Sequence, residues 1–73
     1  MEAFVIKSKD GSYLFTYYVY EDENFGFGEL NEAKLFDNID YAKEYLRQLG
    51  FYYDKSYYEI VEVEIKEKTN VKN

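Results

Sequence analysis

Two β-prone runs, Ala3 to Ser8 and Tyr13 to Tyr20, flank the dipeptide Asp10-Gly11. Asp-Gly between apolar alternations is the strongest short-range hairpin signal, because both residues tolerate the positive φ that tight strand connections require. With Asp10-Gly11 as the turn, Lys9 faces Ser12, Ile6 pairs with Phe15, and Phe4 pairs with Tyr17. Side chains alternate along a strand, so this register gathers Phe4, Ile6, Phe15, Tyr17 and Val19 on one face. Ala3, Val5, Lys7, Leu14, Thr16, Tyr18 and Tyr20 then occupy the other.

The stretch Glu21-Asp22-Glu23-Asn24-Phe25-Gly26-Phe27-Gly28 combines charge, Asn and two Gly, which predicts a loop. Ala33 to Phe36 has the length and composition of a short strand. Asp37 or Asn38 then offers a side-chain oxygen to the free N–H groups that open a helix. Ile39, Ala42, Leu46 and Leu49 recur at helical spacing, flanked by Tyr45, and Gly50 supplies a stop. Phe51-Tyr52-Tyr53 leads into the longest alternation of the chain, Tyr57 to Ile65, which reads as a strand with Val61, Val63 and Ile65 on its inner side. The expected fold is α+β: a small antiparallel or mixed sheet in the order β-β-(β)-α-β, with one helix packed on one face. Residues 1–66 form the single domain of this reading, and 67–73 a polar tail.

A chain of 73 residues has a poor ratio of volume to surface and needs staples or bulky core residues. With no Cys there is no disulfide, so ten Tyr and six Phe must supply the bulk. Absence of Cys and His also removes the usual zinc ligands and the commonest general base, and no nucleophile or paired-carboxylate motif is visible. The expectation is a protein with no catalytic residue, no metal and no cofactor. Fifteen acidic against nine basic residues, a net charge of −6, disfavour nucleic acid. Without a long apolar run or a basic opening before Ala3-Phe4, a soluble cytoplasmic protein with no membrane contact is expected.

Phe25-Gly26-Phe27-Gly28 is a partial match to the aromatic strand on which RNA-recognition sheets stack bases, but Glu29 and Glu32 stand where aromatics are required. Glu21 to Glu32 can be laid over a calcium loop, yet Phe25 falls at a ligand place and a strand precedes it where a helix belongs. The surface that stands out is the face the single helix leaves open. It holds Val5, Leu14, Tyr18, Tyr20, Tyr58 and Ile60, bordered by Glu62 and Glu64. Tyr presents a large, rigid contact area with a polar tip, and apolar patches of this kind mark partner sites.

The hairpin, Ala33-Lys34-Leu35-Phe36, the short helix with Ala42 and Leu46, and Tyr58-Glu59-Ile60-Val61-Glu62-Val63 together resemble small accessory proteins of phages and prophages of low-GC Gram-positive bacteria. That resemblance implies a mobile-element protein binding a host or defence protein, and carries over no functional residue. The expected function is therefore non-enzymatic protein interaction, with a host protein or a second copy as partner and a homodimer as one form. The competing expectation is a module for single-stranded nucleic acid or a small ligand.

Overall fold

The computed structural model describes residues 2–50 and 54–65. Four strands, β1 (Glu2–Ser8), β2 (Tyr13–Val19), β3 (Asp22–Gly28) and β4 (Tyr58–Glu64), form one antiparallel sheet in the order β3-β2-β1-β4. Among the described residues one α-helix, α1 (Ile39–Leu49), covers one face. The chain is a small α+β domain, as its pattern predicts. The aromatic connection 51–53 and the tail 67–73 lie outside the described residues.

Helix α1 starts where the sequence places it. The Asn38 side chain accepts hydrogen bonds from the Asp40 and Tyr41 N–H groups, at 2.7 and 3.4 Å, satisfying donors that an uncapped first turn leaves open. Ala42 and Leu49 are buried, and Tyr45 and Leu46 pack against the same cluster, with Ile6, Leu14 and Phe36 beneath. The Phe36 ring lies 5.5 Å from that of Tyr45 and 5.4 Å from that of Tyr41. Phe27 and Tyr58, from opposite edge strands, stack at 5.3 Å with 13° between planes. Strands three spacings apart stand roughly 14 Å from each other in a flat sheet, so this stack records a sheet curled over Ile6 and Leu14.

The register of the first hairpin differs from the expected one by a single residue. Lys7 is opposite Tyr13, and Ser8 N–H bonds to the Ser12 carbonyl at 2.8 Å, so the loop is Lys9-Asp10-Gly11, one residue longer than a two-residue turn. Asp10 explains the extra residue. Its carboxylate accepts the Ser12 N–H at 2.9 Å and the Ser12 hydroxyl at 2.6 Å, and also takes the Ser8 hydroxyl. Gly11 closes the turn at φ 93°, where a side chain would be strained. A shift of one residue exchanges the faces of one strand relative to its neighbour. Leu14 therefore joins the helix-covered core with Phe4 and Ile6, while Phe15, Tyr17 and Val19 turn to the opposite face.

Three further expectations are corrected. The glycine-rich stretch is strand β3, not loop, because Phe25 and Phe27 alternate toward the core while Gly26 and Gly28 lie under the Phe15 ring. A Cβ at Gly26 would come within 2.8 Å of Phe15 Cζ, so the ring takes the space two side chains would fill. Strand β4 presents Tyr58 and Ile60, rather than Val61 and Val63, to the helix side. It carries apolar residues on both faces, and its pairing with β1, Ile6 with Ile60 and Val5 with Val61, decides between them.

Residues 33–36 form no strand; they wedge the first hairpin open. Lys34 N–H bonds to the Leu14 carbonyl at 2.8 Å, and Phe36 exchanges two backbone bonds of 2.8 and 2.9 Å with Phe4. The insertion parts β1 from β2 beyond their turn. Farther along, β2 continues with β3 as a two-stranded ribbon ending at Tyr20-Glu21.

Candidate interaction surface

The ribbon end gathers the exposed aromatic residues of the sheet. Val19 is opposite Asp22, leaving Tyr20-Glu21 as the connecting pair. Tyr20 has φ 57°, the only non-glycine residue with positive φ among those described, and the residue is 98% exposed. A left-handed backbone at a bulky residue costs on the order of 1–2 kcal/mol relative to Gly, which takes this conformation freely. Next to it, Tyr17 is 47% exposed, Val19 48% and Tyr18 66%. Phe15, Tyr17 and Val19 form a strip on the face away from the helix, with the Phe15 and Tyr17 rings 6.1 Å apart.

Beneath the tip, one carboxylate ties ribbon to helix. Glu23 accepts hydrogen bonds from the Tyr18 hydroxyl and from the Tyr45 hydroxyl, each at 3.1 Å. Burial, reinforced by the Glu23 charge, pushes the Tyr45 phenol up to about 12, and its hydrogen bond to Glu23 raises Tyr18 as well. Both phenols thus stay protonated donors at neutral pH. Glu21, Asp22 and Glu23 are all exposed, so the aromatic tip carries an acidic collar.

The eight residues read as a single face in the sequence are not brought together. Tyr18 and Tyr20 are exposed on the ribbon, but Leu14 is fully buried in the core, and Tyr58 and Ile60 pack against it. Val5 lies on the opposite face and is also fully buried, so the centre of that face is not bare. Glu62 and Glu64 are exposed on β4, across the sheet from the ribbon. There Glu2 lies beside Glu62, and its hydrogen bond and like charge raise the Glu62 carboxyl.

A two-residue turn predicts Tyr17 and Val19 in the core, and they emerge instead on the surface. The signal that identifies them is the pair of serines bracketing Lys9-Asp10-Gly11, which fits a three-residue loop closed by an Asp carboxylate.

No family model, curated protein or solved structure matches the chain. Among the described residues no helix is long and apolar enough to cross a membrane, and no group of three or more His, Cys, Asp or Glu side chains is placed to hold a metal ion.

Proposed function

We propose that the chain is a non-enzymatic, cytoplasmic interaction protein that docks on a protein partner through the tip of the β2–β3 ribbon. The carrying observation is Tyr20, held in a left-handed conformation with its whole side chain in solvent. Strain of that kind clusters at functional sites, and Tyr is, with Trp and Arg, among the residue types enriched as interface anchors. Tyr17, Tyr18 and Val19 surround the anchor, and the Glu23 bridge to Tyr45 holds the ribbon in place before binding. Following the resemblance to phage accessory proteins, the partner is a host or defence protein.

A photo-crosslinking experiment tests the reading. Tyr20→p-benzoylphenylalanine should yield a discrete conjugate in lysate of a Gram-positive host, while the same group at Lys43, exposed on α1, should not. Identical conjugates from the two positions, or none from position 20, would refute tip docking.

A further inference from the structure

We infer that the free protein pairs with a second copy of itself across a two-fold axis, Tyr20 of each copy seated in an apolar cavity of the other, where β1 begins and β4 ends beside the first turn of α1. This rests on the docking role proposed for the tip and names what occupies the tip until a host protein is met. The cavity, of about 360 Å³, is lined by Ala3, Leu35, Phe36, Tyr41 and Ile65 together with the acidic residues Glu2 and Asp37. Leu35 and Tyr41 are 52% and 58% exposed, so its apolar wall opens to solvent. A cavity of roughly 150 Å³ already accepts a benzene ring, which leaves room here for a tyrosine side chain.

Tip and cavity lie at the same end of the sheet. Lys7 is opposite Tyr13 and Glu2 opposite Glu64, so the start of β1, the end of β2 and the end of β4 share that end. A run of contacts fixes their spacing: Glu23 on the ribbon accepts the Tyr45 hydroxyl, and the rings of Tyr45 and Tyr41 both pack on Phe36 in the cavity wall. Knob and socket on one surface permit an isologous pair, in which each copy gives and receives the same contact and the assembly closes at two. Any other partner would have to supply both a protruding anchor and a socket; a second copy does so by construction. The exposed parts of Tyr18, Val19, Tyr20, Leu35, Ile39 and Tyr41 amount to roughly 750 Å², close to what each partner of a stable complex buries. Charge does not drive the pairing. Glu21 and Asp22 on the tip approach Glu2 and Asp37, with Lys34, 5.6 Å over the Phe36 ring, as a partial counterweight. The contact is apolar and opposed by repulsion, so salt should strengthen it.

Sedimentation equilibrium of the purified full chain tests this with two surface variants. Wild type should form dimers and nothing larger, and its dissociation constant should fall severalfold when ionic strength rises from about 0.05 to about 0.5 M. Tyr20→Gly keeps the positive φ and so preserves the turn, and Leu35→Glu puts a charge in the exposed cavity wall. Each should weaken the dimer about a thousandfold, because symmetry removes a contact of roughly thirtyfold twice. Mixing the two variants should restore association part-way, since one intact tip then meets one intact cavity, and that recovery also shows that both fold. In the purified protein, Tyr20→p-benzoylphenylalanine should conjugate to residues 35–41 of a second copy. A wild type that stays monomeric up to about 1 mM would overturn the second copy as occupant. So would assemblies longer than dimers, weakening by salt, no recovery on mixing, or a dimer indifferent to Tyr20→Gly or Leu35→Glu. Tip docking itself would survive a monomer whose position-20 conjugates in lysate hold a foreign protein, and would fall with the dimer if those conjugates were also missing.

Discussion

The two hairpins that share β2 place their strained backbone on different kinds of residue. In the β1–β2 turn the positive φ falls on Gly11, and the neighbouring carboxylate is satisfied by Ser8 and Ser12. In the β2–β3 turn it falls on Tyr20, with its side chain in water. The first turn follows the chemistry that makes a hairpin cheap to form; the second departs from it at a surface position where Gly or Asn would serve the fold better. The same contrast runs along β2 itself. Leu14 near the first turn is fully buried, and Tyr18 near the second is mostly exposed.

Substitutions along β2 should give the largest difference. Leu14→Ala should destabilise by about 2–5 kcal/mol in urea unfolding, the cost of a cavity beneath α1. Tyr18→Ser should stay within about 1 kcal/mol of wild type, losing one exposed hydrogen bond. Equal losses at the two sites would erase the distinction between a structural and a presenting end of the strand.

The turn residues should respond with opposite signs. Gly11→Ala forces a side chain into φ 93° and should cost about 1–2 kcal/mol. Tyr20→Gly relieves φ 57° and should leave stability unchanged or raise it by up to about 1 kcal/mol, offset by the greater freedom of Gly in the unfolded chain. Thermal unfolding of both variants under one set of conditions provides the comparison.

Acid should weaken the first turn through a group the second lacks. Asp10 is lowered from 3.8 to about 2, first by the Ser12 hydroxyl and then by that of Ser8. Its folded-state value lies below its unfolded one, so its stabilising contribution is complete above pH 3.8 and is lost as pH falls toward about 2. Asp10→Asn should flatten that part of the stability profile. Glu62 runs the other way. Its carboxyl is raised by Glu2, so protonation in mild acid relieves repulsion, and Glu62→Gln should give a small gain at neutral pH, visible as a higher unfolding temperature.

Elements governed by local chemistry were legible in the sequence. Asn38 as helix cap, the stripe of Ala42, Leu46 and Leu49, and the existence of the first hairpin and the last strand all depend on residues within a few positions of one another. What was not legible depended on distant partners. The faces of β2 followed from one additional loop residue, drawn in by serines on either side of Asp10. Strand β3 required the Phe15 ring over Gly26 and Gly28, a contact between strands that composition alone argues against. The exposed end of the ribbon was legible in part. Tyr18 and Tyr20 were picked out, whereas Leu14, Tyr58 and Ile60 proved structural and Tyr17 and Val19 were passed over.

The most direct measurement pairs stability with association in Tyr20→Gly. Tyr20→Gly should give a protein as stable as wild type or more so, whose crosslinks to its partner from Tyr17→p-benzoylphenylalanine disappear. A variant that loses stability while keeping those crosslinks would show that Tyr20 serves the fold, and would contradict the assignment of the ribbon tip to recognition.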